Sequence, residues 1–468
     1  MSKLPNTILV IMGITGDLVG KKVAPALFDL YQKGELPEKF RLIGFGRKQF
    51  DAAGIRRFVT DLVLAKFPDA DAGQLQAFTE MLDYQQGLFE EAASYERLKA
   101  RLAQIQQPWG EANKLFYLAV PPEIYGGIFQ HFQAVNLIDE HSRILVEKPF
   151  GSNAKSAQEL DLLLGTLFAE ERIYRIDHYL AKEMLQNILA FRFNNDLFEK
   201  SWDNQLIELI QIRLWEKIGV EHRGKFYDGV GALRDVGQNH LLQMLALVTM
   251  DYPVDFLPSA LQARRTEILN QLKPLTPEQI RAQTYRAQYD GYQQIAGVAP
   301  DSQTETYFRF TTQLDSPKWA GVPVIFDGGK RLGEARKEII ITLRHPEDCN
   351  CPPGRHYRNR IIFALEPKEG IEIELWAKKP GLGNEVELRR LEFMLRQTAG
   401  RLQYIEEYQK LFIDAIRGDQ TLFVSTSEVQ AMWNFIDPIA AAWAQNIVPL
   451  KTYQPDTDQA PADSANII

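Results

Sequence analysis

Short apolar runs alternate with amphipathic stretches through the first 180 or so residues. Asn6–Met12, Arg41–Gly46, Lys114–Val120 and Ser142–Val146 have the length and unbroken apolar character of strands covered on both faces of a parallel sheet. Lys22–Tyr31 reads as an amphipathic helix that stops near Gly34. Residues 51–113 read mostly as helices, broken by Tyr-Gln-Gln-Gly at 84–87, and Ser152–Leu167 reads as another helix. This alternation predicts a Rossmann-type α/β domain over residues 1–176.

After residue 184 the rhythm changes. Leu206–Leu214 is apolar and extended, and Leu241–Val248 has the apolar density of a buried helix. Thr304–Thr311, Val322–Phe326, Glu338–Leu343, Arg360–Leu365 and Ile371–Ala377 are β-rich runs divided by turns. They predict a mainly antiparallel sheet covered by helices, in a larger α+β domain over residues 177–451. Residues 406–446 read as helical again. The stretch Thr452–Asp463 is polar and rich in Pro and Asp, so residues 452–468 are expected to be a disordered tail.

Composition narrows the class. The chain has 468 residues, 45% of them hydrophobic and 24% charged, enough for two or three domains with real cores. No apolar run approaches the roughly 20 residues of a membrane span. The start, Met1-Ser2-Lys3-Leu4-Pro5, leads into a strand without the apolar stretch of a secretory leader. Cys349 and Cys351, in Cys-Asn-Cys-Pro-Pro, are too close for a good disulfide and too few for a zinc site; reduced loop thiols in a cytoplasmic protein are expected. A net charge of −8 argues against a nucleic-acid partner, and an anionic substrate would need a local basic pocket.

Candidate chemistry lies at the ends of the predicted strands. Gly13-Ile-Thr15-Gly16-Asp17-Leu18-Val-Gly20 sits between a strand and a helix, the context in which backbone amides face a pyrophosphate. An ordinary strand-to-helix turn has the same look, because the spacing is G-x-x-G. At the end of the next strand, Arg47-Lys48-Gln49 stands where an NAD domain carries an acid. A guanidinium there suits a 2′-phosphate, so NADP is the expected cofactor, with the Thr15 hydroxyl as a second donor. A solvated strand end is the bland alternative. Glu147-Lys148-Pro149-Phe150-Gly151 ends a further strand and places Lys148 to meet a ligand, with Pro149 fixing a tight turn in which a cis bond is one option.

Two stretches concentrate titratable groups. In Arg175-Ile-Asp177-His178-Tyr179-Leu-Ala181-Lys182-Glu183, a helix starting near Asp177 would put His178 and Lys182 at i and i+4 on one face, with Tyr179 beside them. That face, next to a helix N-terminus, suits a phosphate; a capped surface helix has the same pattern. In Arg234-Asp235-Val-Gly-Gln-Asn-His240, an acid and an imidazole head a buried helix. Asp235 with Gln238 also has capping-box spacing, and His240 could equally be a satisfied core histidine. Gly328-Gly-Lys330-Arg-Leu332 lies in a loop of the predicted sheet.

Taken in order, and with Ala377-Lys-Lys-Pro-Gly and Arg417-Gly-Asp-Gln-Thr-Leu-Phe-Val, these pieces resemble the glucose-6-phosphate dehydrogenase family over nearly the whole chain. The resemblance implies a coenzyme domain followed by a sheet domain, and oxidation of a sugar-phosphate hemiacetal at C1 to a lactone, yielding NADPH. It implies His240 as general base and Asp177 as the carboxylate orienting it. His178, Tyr179 and Lys182 would grip the phosphate, and Lys148, Glu216, Asp235 and Lys330 would hold the sugar, with Lys22 near the reacting centre. Gly13, Thr15, Gly16, Asp17, Leu18, Arg47 and Lys148 would bind NADP. Assembly as a homodimer or homotetramer through the sheet domain is implied as well.

The chain departs from the family pattern in four places. Ala181 replaces a glycine and Gly20 a lysine. Ala335 stands where a second basic residue is usual, five positions after Lys330, with Arg336 one further on. Arg336 is therefore expected to swing into the phosphate pocket. The C-terminus lacks a Gly-Ser-Trp-Gly-Pro stretch. Rival readings are a paralogue acting on another hexose phosphate or a free sugar, and a non-catalytic NADP-binding regulator.

Overall fold

The computed structural model describes residues 3–195, 200–345, 351, 357–395 and 406–467. The first sheet holds six parallel strands: β1 (Thr7–Met12), β2 (Phe40–Gly46), β3 (Leu82–Gln86), β4 (Asn113–Leu118), β5 (Ser142–Glu147) and β6 (Ile173–Ile176). They run β6-β5-β4-β1-β2-β3, the order of a doubly wound dinucleotide-binding sheet. All six residues of β1 are buried, as a strand covered on both faces requires.

Residues 51–113 depart from the expected run of helices. The supposed break at 84–87 coincides with the end of β3, which among the described residues is an edge strand paired with β2. An edge strand needs few apolar residues, so Leu-Asp-Tyr-Gln-Gln gave no apolar run to read. β3 also positions a neighbouring loop. The Tyr84 hydroxyl bonds the carbonyls of Gly46 and Lys48, at 2.8 and 2.5 Å, and pins the loop that carries Arg47.

The second sheet contains β7 (Ile207–Trp215), β8 (Thr284–Tyr289), β9 (Tyr307–Gln313), β10 (Pro323–Gly329), β11 (Arg336–Leu343), β12 (Arg360–Glu366), β13 (Gly370–Lys378), β14 (Val386–Met394) and, after the two-residue β15 (Phe423–Val424), β16 (Lys451–Tyr453). The order is β14-β13-β12-β11-β7-β10-β9-β8-β16, antiparallel except for the β10–β7 and β16–β8 pairs. The Leu233–Leu241 segment packs on β7 and β10 and against the helices Leu242–Thr249 and Thr426–Ala444, on which Pro258–Asn270 packs in turn. The two sheets share one hydrophobic core. β15 sews them together: it leaves the second half of the chain to pair antiparallel with β6 of the first sheet.

Two other expectations fail. The C-terminal stretch is ordered: β16 joins β8, Gln459–Asp463 is helical, and Tyr453, Ala460 and Ser464 are buried. Composition misleads because three small anchors are enough, one of them a Tyr453 hydroxyl that donates to the Lys330 carbonyl. Cys351 is disulfide-bonded instead of a reduced thiol; Cys349 lies outside the described residues. No helix among the described residues is long and apolar enough to cross a membrane.

Candidate active site

Asp177 follows directly on β6, at the carboxyl edge of the first sheet. The residues after it are turns, and the helix begins only at Glu183, with Lys182 as its N-cap. The expected i, i+4 face of His178 and Lys182 therefore does not exist. The cause is Asp177 itself, whose Oδ1 accepts from the Tyr179 amide at 3.0 Å, a local side-chain bond that competes with helix formation. The turn splits the cluster: Asp177 faces inward to His240, while Tyr179 lays its ring on the His240 ring, centroids 3.9 Å apart.

His240 and Asp235 come from a π-helical segment, Leu233–Leu241, not from a capping box. Bonding from i to i+5 brings residues five apart onto one side of the turn. Lys148, at the end of β5 and before a cis Pro149, reads both: its ammonium donates to the Asp235 carbonyl at 3.0 Å and lies 2.7 Å from His240 Nε2. On the other side of the ring, His240 Nδ1 is 2.5 Å from Asp177 Oδ1, and both side chains are 1% exposed.

The electrostatics fix the tautomer. Burial, reinforced by the Lys148 charge, holds the His240 pKa well below the ordinary histidine value, so the imidazole is neutral near pH 7. A neutral ring facing a carboxylate at Nδ1 and an ammonium at Nε2 carries its proton on Nδ1 and a lone pair on Nε2. His178 stands edge-on to His240 at 5.0 Å and is likewise kept neutral, chiefly by burial.

The remaining sugar-contact candidates close one wall. Lys330, fixed after β10, pairs with Glu216 and lies 3.4 Å from Asp235 Oδ2. Burial depresses and neighbouring charges restore the Lys330 pKa, the net direction being upward; Asp235 is held down by Lys148 and Lys330 against its burial. Lys182 bonds Glu407 at 2.8 Å and Glu366 at 3.4 Å, and the Lys22 charge also reaches Glu407.

Arg336 does not enter. It opens β11 opposite Trp215, pairs with Glu334 and Glu338, and sits over the Trp215 ring at 5.8 Å. Successive strand residues face opposite sides, so it is Lys337 that points into the site, 5.6 Å from the Tyr179 ring. Strand alternation in Arg336-Lys337-Glu338 was the signal that could have found it. Sequence reasoning also missed Glu147, half-buried at the strand end next to Lys148. Its carboxylate accepts from Tyr117 and Tyr408 at 2.8 and 3.0 Å, and burial pushes its pKa up to about 7. Its signal was its place at a strand end beside Lys148.

The cofactor candidates cluster apart from these, at the ends of β1 and β2. Gly13 has φ +90°, and a Cβ there would meet the Ala119 carbonyl oxygen at 2.6 Å, so only glycine lets the chain turn this tightly. Thr15, Gly16 and Leu18 are half-buried around it, while Asp17 and Arg47 are exposed. The glycine cradle and the open guanidinium beside it fit a phosphorylated dinucleotide.

A doubly wound coenzyme sheet whose strand ends face a buried Asp–His pair and a lysine-lined pocket defines a nicotinamide-dependent oxidoreductase of small anionic substrates. Comparison with known proteins sharpens this. Residues 10–187 match the glucose-6-phosphate dehydrogenase NAD binding domain and residues 189–468 its C-terminal domain. The chain belongs to the glucose-6-phosphate dehydrogenase family. It is 37% identical over 460 residues to glucose-6-phosphate 1-dehydrogenase of Aggregatibacter actinomycetemcomitans, covering 95% of this chain and 92% of that one. To the enzyme of Gluconobacter oxydans it is 36% identical, again over 95% and 92%. A solved glucose-6-phosphate dehydrogenase in complex with glucose-6-phosphate superposes with a TM-score of 0.90 at 31% identity, covering 97% of this chain and 96% of that one. Gal80p of Saccharomyces cerevisiae, at 8% identity and a TM-score of 0.52 over 94% and 96% of the two chains, shares the fold alone.

Proposed function

We propose that the chain oxidises glucose 6-phosphate at C1 with NADP, giving 6-phosphoglucono-lactone and NADPH. The observation that carries this is the Asp177–His240–Lys148 line. The Lys148 ammonium yields its 2.7 Å contact with His240 Nε2 to the C1 hydroxyl, which gives its proton to Nε2 while Asp177 stabilises the growing imidazolium charge through Nδ1–H. The C1–H bond breaks, its hydrogen leaving as hydride with the electron pair, and the carbonyl of the lactone forms. Bound NADP supplies the hydride acceptor. Lys148, Glu216, Asp235 and Lys330 orient the sugar; His178, Tyr179 and Lys182 face the phosphate. NADPH absorbance, with purified protein offered NADP and a panel of sugars and sugar phosphates, tests the reading: turnover best with glucose 6-phosphate supports it, and a preference for a free sugar favours the paralogue.

NADP over NAD is supported by the exposed Arg47 on a loop pinned by Tyr84. Gly13, Thr15, Gly16, Asp17 and Leu18 line the same turn. Arg47→Ala is expected to raise KM for NADP about tenfold or more and to leave KM for NAD nearly unchanged, the loss of one charge-assisted contact; an equal rise for both would make Arg47 structural. We assign residues 1–176 to the coenzyme domain and 177–451, with the ordered stretch that continues β16 to residue 467, to the substrate-binding domain. Assembly as a homodimer or homotetramer through the second sheet is supported by Leu388, Leu391 and Phe393 of β14, which stand 37%, 60% and 49% exposed. Sedimentation of the wild type and a Leu391→Lys, Phe393→Lys variant tests it, dissociation of the variant being the expected result.

A further inference from the structure

Two ammonium groups approach one aromatic ring from different elements. Lys182, at the head of a helix, places Nζ 5.3 Å from the Tyr179 ring centroid; Lys337, second residue of β11, places Nζ at 5.6 Å. A single carboxylate joins them. Glu366, paired with Lys337 in the strand register, puts Oε1 3.4 Å from Lys182 and Oε2 2.8 Å from Lys337. The lysine side chains are 9% and 13% exposed, the glutamate 37%. The spot between the ammoniums thus already receives an anion through two oxygens, and the anion there is the most exposed of the three groups.

We infer that Lys337 is a specificity-determining residue of this chain: together with Lys182 it holds the phosphate of the substrate, a role that neither Ala335 nor Arg336 can fill. The geometry explains how. The phosphate dianion displaces Glu366, whose carboxylate is free to turn to solvent, and takes two charge-assisted contacts in its place. Until then Glu366 holds both ammoniums beside Tyr179, so neither must be ordered when substrate arrives. A free sugar offers no anion to this spot and gains nothing from Lys337. No bond is made or broken.

The inference rests on the reading of the site as a sugar-phosphate dehydrogenase, and the test separates the two. Steady-state kinetics are run at alkaline pH, above the histidine limb, on wild type, Lys337→Met, Lys337→Arg and Arg336→Met, with glucose 6-phosphate and with glucose. In Lys337→Met we expect KM for glucose 6-phosphate to rise about tenfold or more, the size of one lost charge-assisted contact, with kcat and the activity on glucose changed less than about twofold. Lys337→Arg should recover most of the loss, and Arg336→Met should resemble wild type. Inhibition of glucose oxidation by inorganic phosphate should weaken in Lys337→Met by the same factor as KM rises. Equal losses on both sugars, or an unchanged KM for glucose 6-phosphate, would overturn the inference. Should wild type turn over neither sugar, the functional reading fails, and calorimetric titration with glucose 6-phosphate then decides Lys337 alone: weaker binding by Lys337→Met upholds it, equal binding overturns it.

Discussion

At one end of the site, Asp177 and His240 are each 1% exposed, and the imidazole is neutral. At the other, Lys182, Glu407, Lys337 and Glu366 are 9%, 12%, 13% and 37% exposed and meet as charged pairs drawn from four elements. The first end is dry: on the proposed reading the proton acceptor, its tautomer and its orientation are set by buried partners, which is where electrostatic preorganisation is worth most. The second is wetter and exchangeable. There Glu366 is 37% exposed, so an incoming anion can replace its carboxylate at little cost. Chemistry is assigned to the end that cannot adjust, recognition to the end that can.

The largest test of that division is His240→Asn. We expect kcat to fall at least about 10²-fold with KM changed far less, because a general base acts in the transition state; near wild-type kcat would remove His240 from the chemistry. Next comes Lys182→Ala, which should raise KM for glucose 6-phosphate about tenfold to a hundredfold, the range of one lost charge-assisted contact, and leave glucose oxidation nearly untouched. A kcat effect equal on both sugars would show that the two ends are not separable.

Smaller effects probe the coupling between the ends. The His240 pKa is depressed by burial first and by the Lys148 charge second, so the base is unprotonated, and active, down to a pH below the usual histidine range. Lys148→Met removes a charge that disfavours the imidazolium. The acid limb of the kcat–pH profile should therefore move to higher pH; an unmoved limb would assign the depression to burial alone. Smallest is Glu407→Gln. Glu407 is held ionised chiefly by Lys182 against its burial, and repels a phosphate. Its neutralisation should lower KM for glucose 6-phosphate, measured in the same assay. A raised KM would instead make Glu407 a support for Lys182.

What was legible in the sequence follows the same division. The buried strands β1, β2, β4 and β5 and the glycine turn at Gly13 were readable, because burial leaves unbroken apolar runs; the grouping of Asp177, Lys148 and His240 came from the family resemblance, since the residues alone left His240 open as a core histidine. β3 and β16 were not, since edge strands need few apolar side chains. Nor was the turn at 177–182, where one carboxylate outcompetes a helix that spacing alone would allow. At the phosphate end, position counting put Arg336 in the pocket; the pleat of β11 turned it to Trp215 and brought Lys337 in. Glu366 and Glu407 carried no motif, and only the paired register and the helix start at Glu407 bring them to the lysines.

The most direct measurement is the ratio of kcat/KM for glucose 6-phosphate to that for glucose in the wild-type protein with NADP. Two ammoniums meeting a dianion should make that ratio at least about a hundredfold, taking roughly tenfold or more from each charge-assisted contact. A ratio near one would mean that the lysine end does not read phosphate, and that the carboxylates of Glu366 and Glu407 close that pocket instead of yielding it.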